Sequence, residues 1–201
     1  MPRKPQTPIK MAMRKPAIIR FPTPQAVTKV YAPYALELGK LIYAWNHLHE
    51  SLAHLFWQLT GIKNGSIALA IWHSVQSDRT QRGLLHAAAT QALADNKEKR
   101  EDVLWLLAQV DNKLAGNRND AIHAPLIFTR GGDDGDDFRA HPLSSSPRAA
   151  ALRGKNLLNE FVWYRERAET LRQYCTSMRQ ALLMPERSQW PKRPMLPALR
   201  K

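Results

Sequence analysis

From Pro33 to Gly61 the apolar residues repeat at the period of an α-helix. Leu38, Leu41, Ile42, Trp45, Leu48, Leu52, Leu55, Phe56 and Leu59 form one continuous stripe. Successive strand residues alternate faces, so a stripe of this period cannot be buried by a strand. A helix this long must bury its apolar face against other elements, and the further helical stripes along the chain make a helical bundle the expected solution. The same period returns at Lys97–Ala115, with Val103, Leu104, Leu107, Val110 and Leu114. It returns again after Pro147, where Leu157, Leu158, Phe161, Tyr164, Ala168, Leu171, Cys175, Met178 and Leu182 reach to about Met184. Two shorter helices are expected between, at 66–74 and, capped by Ser77, at 78–94.

The expected fold is all-α: a bundle of about four to five main helices. After Pro125 the period changes. Leu126–Thr129 and Phe138–His141 read as short strands around Gly131-Gly132-Asp133-Asp134-Gly135-Asp136-Asp137, a solvated acidic turn. A small β-hairpin insertion is therefore expected. The 201 residues suffice for one core. The one cysteine, Cys175, lies on the last stripe, so it reads as core packing and no internal disulfide can form. A reducing, cytoplasmic setting is expected. The apolar runs fall short of the ~20 residues that span a bilayer, so no membrane partner is expected.

Charge divides the chain differently. Residues 1–29 hold seven Lys/Arg and no acid, residues 185–201 hold five and one acid, and the two ends supply +11 of the formal +13. Segment 1–30 also holds six prolines and is expected to be an unfolded basic arm. The domain is expected at 31–184, followed by a basic, proline-rich tail at 185–201. Basic ends attract polyanions through salt-sensitive contacts, and Trp190 in the tail could stack on a base. The plain alternative is a role in solubility.

The densest chemistry lies at Gly116-Asn117-Arg118-Asn119-Asp120-Ala121-Ile122-His123-Ala124-Pro125. Gly116 suits a left-handed helix stop, Asn117 an N-cap, and Asp120 the third helical position. Pro125 should end the new helix near Ala124. On that reading Arg118 and Asn119 sit at a helix N-terminus, an anion site. In a regular helix Arg118 and His123 diverge by about 140°. They serve one site only through an irregular helix start or a second copy facing the first. Arg79 and Arg82, in the first turns of their helix, oppose its dipole and either face an anion or partner or are solvated. The bland alternatives are that Arg118 pairs with Asp120 or Asp111 and that His123 satisfies a carbonyl.

Arg-Asn-Asp-Ala-Ile-His resembles the R-x4-6-H signature of HEPN-superfamily ribonucleases, with Asn119 as the polar residue after the arginine. Trp45-Asn46-His47-Leu48-His49-Glu50 is similar to the tryptophan-plus-acid pattern of some members; His49 occupies the acid's usual place and Glu50 follows it. The resemblance spans roughly residues 31–184. It implies a metal-independent endoribonuclease in which Arg118, Asn119 and His123 act on RNA, with His49 and Asn46 as auxiliary polar groups. It implies no cofactor and no metal. It also implies a homodimer and, in many members, a toxin or phage-defence role with an antitoxin partner. A non-catalytic module that binds nucleic acid or protein is the alternative. The pairs His47/Glu50 and Glu50/His54 could face a cation, but no second ligand helix accompanies them.

Overall fold

The computed structural model describes residues 23–131, 137–143 and 145–198, with the side chains of 128–131 and 137–139 left outside that description. Residues 1–22 of the arm expected at 1–30 and residues 132–136 of the acidic turn also lie outside it. The chain is all-α with one small hairpin. Helix α1 runs Pro24–Thr60, α2 Gly65–Ser74, α3 Asp78–Ala92 and α4 Lys97–Gln109. A π-helical segment, Val110–Ala115, leads into α5, Gly116–His123. Strands β1 (Leu126–Gly131) and β2 (Asp137–Pro142) pair antiparallel, with Leu126 opposite Pro142 and Ile127 opposite His141. A single turn, α6 (Pro147–Ala150), precedes α7 (Leu157–Leu183). No described helix is long and apolar enough to cross a membrane.

Helix α1 is the axis of the bundle. At 37 residues it is about 55 Å long. Thr23 caps it by accepting from the Ala26 N–H, and Pro24 occupies the first turn, where its missing N–H is harmless. The helix therefore starts inside the segment expected as an arm. Pro33 is carried within it, in an exposed stretch where the unpaired carbonyl one turn earlier can reach water. Gly61, at φ 65°, closes the helix in the left-handed conformation. Gly65 starts α2 against the face of Trp57, where a Cβ would come within 2.5 Å of the ring.

The stripe of α1 buries Leu41, Trp45, Leu48, Leu52, Leu55, Phe56 and Leu59. Its most extensive partner is α7, which contributes Phe161, Tyr164, Leu171, Tyr174, Cys175 and Met178. Helices α3, α4 and α2 complete the shell with Leu85, Ala89, Val103, Leu106 and Trp72. Ile42, expected on the stripe, is exposed at its margin. Cys175 is fully buried, and that burial pushes its thiol pKa up. The last element begins later than its serines suggested: Ser146 caps only α6, Gly154 turns the chain at φ 73°, and Asn156 caps α7.

The C-terminal tail packs on the bundle. Trp190 donates its indole N–H to Asp102 of α4 at 2.8 Å, and Arg193 pairs with the same carboxylate. Further along, Trp163 of α7 donates to the Pro197 carbonyl at 2.7 Å. Trp190 and Leu196 rest against the core. The expected nucleobase platform is thus a docking residue, because an indole finds both an apolar wall and a buried acceptor on α4. Asp102→Ala should lower the unfolding free energy by about 1–2 kcal/mol in urea titration, since the part-buried Trp190 indole and Arg193 lose their shared acceptor. In a chain ending at Met184 the same substitution should cost much less. Equal costs in the two backgrounds would show that the tail does not depend on Asp102.

Candidate functional site

Trp45 lies at the centre of a polar cluster set into the apolar stripe. It is buried, so its indole N–H needs an acceptor. Asp78, the first residue of α3, provides one at 3.2 Å. Two guanidinium groups lie over the indole: Arg118 of α5 at 5.3 Å from the ring centroid, and Arg82 of α3 at 5.8 Å. One turn along α1, the His49 ring is 4.7 Å from that of Trp45.

Arg82 is only 4% exposed and ties three elements together. Its Nε donates to Asp111 in the π-helical segment at 2.7 Å. Its Nη1 lies 3.2 Å from His49 Nε2. An arginine only donates, so Nε2 accepts and neutral His49 carries its proton on Nδ1. That Nδ1 is buried and has no hydrogen-bond partner. Burial is the main cause that lowers the His49 pKa, to about 4. Arg82 and Arg118 lower it further, while Asp78 and the Gln81 side chain oppose them. Gln81 also donates to the Trp72 and Val75 carbonyls at 3.2 and 3.1 Å, fastening the end of α2 to α3.

These residues border a cleft of about 280 Å³, lined by Trp45, Asn46, His49, Glu50, Trp72, His73, Asp78, Gln81 and Arg118. Glu50 faces His73 across it at 3.6 Å. Arg118 also donates to Asn119 at 2.8 Å, and its own Nε is buried without a partner. The cleft thus joins Arg118 with Asn46 and His49, the auxiliary residues expected from α1. His123 is not among its lining residues. It sits exposed at the last position of α5. Asn119 touches Arg118 but does not line the cleft.

The local geometry of the motif departs from expectation. Gly116 is right-handed, at φ −61° and ψ −52°, and no side chain caps α5. The helix from Lys97 continues through the π-helical segment into α5, so Arg118 does not stand at a free helix N-terminus. Asn117 instead donates its side-chain amide to the Lys113 carbonyl at 2.8 Å. Glycine permits either hand of φ, and here the continued helix prevails. The irregularity is the π-helical segment, a feature often found beside functional sites. The helix does stop at Ala124, ahead of Pro125. Asp111, a proposed partner for Arg118, belongs to Arg82.

Arg82, Asp78 and Asp111 are the members that sequence reading did not assign to the site. The available signal was an arginine placed against its helix dipole, which here faces the exposed carboxylate of Asp111 and a buried histidine. Among the described residues no three His, Cys, Asp or Glu side chains converge as a metal site would require. Arg118 can donate to an anion at the cleft. His49 cannot take a proton on Nε2 without turning an N–H toward Arg82. No protein-family model matches the chain, and no significant similarity to a curated protein or a solved structure is found.

The His49 environment predicts a pH dependence. The unfolded chain, with a histidine pKa of 6.5, binds this proton between pH 6.5 and 4 while the folded chain does not. Stability from this group is therefore full above pH 6.5 and falls as pH drops toward 4. Over that window the wild type should lose about 3 kcal/mol more unfolding free energy than His49→Asn. Parallel stability–pH curves for the two proteins would refute the buried neutral state.

Proposed function

We propose that the protein is a metal-independent endoribonuclease of the HEPN type that works as a homodimer. One observation carries the reading. The arginine of the R-x4-H motif lies with its guanidinium over Trp45, beside a polar cleft and next to Asn119. A planar cation held in this way suits the non-bridging oxygens of a phosphodiester. RNA supplies its own nucleophile. The 2′-oxygen forms a bond to phosphorus as the bond from phosphorus to the 5′-oxygen breaks. One proton leaves the 2′-hydroxyl and one reaches the departing 5′-oxygen. The products are a 2′,3′-cyclic phosphate and a 5′-hydroxyl.

His123 is the proton carrier in this reading, because its imidazole is exposed and within the motif helix. His49 is a poor substitute, since its lone pair already faces Arg82. Arg118 and His123 lie on different faces of α5, so a composite site needs His123 from a second copy. Exposed Ile67 and Ile71 on α2, the helix that also brings Trp72 and His73 to the cleft, favour a partner there. A toxin or phage-defence setting in the cytoplasm, with an antitoxin as a protein partner, accompanies this proposal and rests on the family resemblance.

The absence of His123 from the cleft lining favours a second reading, a non-catalytic module that binds RNA through Arg118 and the basic ends. Cleavage of RNA by the purified protein in excess EDTA separates the two. His123→Ala and Arg118→Ala should each reduce cleavage by at least about 100-fold while remaining folded. Mixed and re-equilibrated, the two inactive variants should recover about a quarter of wild-type activity, because half the dimers would hold one intact composite site. Cleavage that persists in His123→Ala would remove the catalytic assignment. Salt-sensitive RNA binding without cleavage would favour the binding module.

A further inference from the structure

We infer that Trp45 is a positioning residue for Arg118, and that Asp78 fixes Trp45 in that role. The inference rests on the proposed action of Arg118 on RNA phosphate and identifies what orients it. A free arginine side chain samples many rotamers, and those not directed at the ligand reduce affinity and rate. Here the guanidinium carbon lies 5.3 Å from the centre of the indole. A guanidinium over a π-face keeps its N–H groups in its own plane, where they remain available to an anion. The cation is thus held by a contact that does not consume its donors. Asn119 takes one of them, on Nη1.

The indole is itself immobilised. It is 2% exposed, and Asp78 accepts its N–H at 3.2 Å. Arg82 lies over the same ring system at 5.8 Å and is held by Asp111 at 2.7 Å. Asp111 belongs to the π-helical segment that immediately precedes the Arg118 helix. The same ion pair therefore ties the base of the motif helix to α3, whose first residue anchors Trp45. Helices α1, α3 and α5 are registered to one another around a single indole. Two cations close to one ring repel each other, and the carboxylates of Asp78 and Asp111 offset that repulsion.

This separates the roles of the Trp45 side chain. Its bulk fills the core, its face holds Arg118, and its N–H is restrained by Asp78. Phenylalanine keeps an aromatic face and loses the N–H. Leucine keeps apolar character and loses both. Asp78→Asn keeps the size of the anchor and removes its charge.

The test is a double-mutant cycle between Trp45→Leu and Arg118→Ala, read in RNA cleavage and in affinity for a 2′-deoxy oligonucleotide that the protein cannot cut. Folding of each variant is checked by its urea midpoint. Trp45→Leu should lower wild-type affinity on the order of tenfold and should have little further effect in Arg118→Ala. Asp78→Asn, whose amide oxygen can still accept the indole N–H, should retain most of the affinity, and Trp45→Phe, which keeps the aromatic face and loses the restraint, should fall between it and Trp45→Leu. Independent, multiplying losses would overturn the positioning role while leaving the ribonuclease proposal intact. Equal affinity for wild type and Trp45→Leu would overturn it as well. A wild-type protein that binds the oligonucleotide and shows the coupling, yet cuts no RNA, would defeat the ribonuclease reading and keep this one. A folded wild type that neither binds nor cuts would overturn both.

Discussion

Burial of the α1 stripe is the constraint on which the other elements depend. Helix α1 meets α7 along most of its length and also contacts α2, α3, α5 and β2. Each fully buried Leu or Phe contributes about 1.5–3 kcal/mol relative to exposure. A helix surrounded in this way has no freedom to rotate, because any turn would exchange buried leucines for exposed polar groups. The orientation of Trp45 and His49 follows from Leu41, Leu48, Leu52 and Leu55 beside them. The polar cluster is therefore placed by the apolar core.

Its composition is then a matter of satisfying buried polar groups. A guanidinium as enclosed as that of Arg82 is tolerable only when paired, and its partner Asp111 reaches it from the exposed side of the π-helical segment. Asp111 meets the charge, and His49 accepts a further N–H. That second bond fixes the histidine as a neutral group with its proton on Nδ1. Trp45 likewise needs Asp78. The result is a network in which donors and acceptors from three helices meet, with Arg118 at its edge. The tail uses the same chemistry on α4, where Asp102 receives both Trp190 and Arg193.

Much of the scaffold was legible locally. The leucine and phenylalanine stripe of α1 declared a buried helix, and Ser77 marks a helix start that the structure keeps. The change of period after Pro125 marked the hairpin. Glycine and proline were less decisive. Gly61 and Gly154 adopt positive φ, whereas Gly116 stays right-handed within a continuous helix. The residue is the same, and the packing of the flanking turns chooses between the hands. Pro33 lies within α1 for a related reason: the loss of one hydrogen bond in an exposed turn is small beside the stripe that continues past it.

For the candidate site, sequence alone picked out Arg118, Asn119 and His123 by motif, and Asn46 and His49 by their place on a polar shoulder of α1. Tertiary structure decided which of them meet. Arg118, Asn46 and His49 share a cleft, while His123 is exposed and does not line it. It also recruited Arg82, 29 residues from its partner Asp111, and Trp190, 88 residues from Asp102. Periodicity and capping act within a few residues, so the order of atoms along the chain determines them. Salt bridges, cation–π contacts and indole hydrogen bonds depend on distances in space, which exist only after the helices have packed.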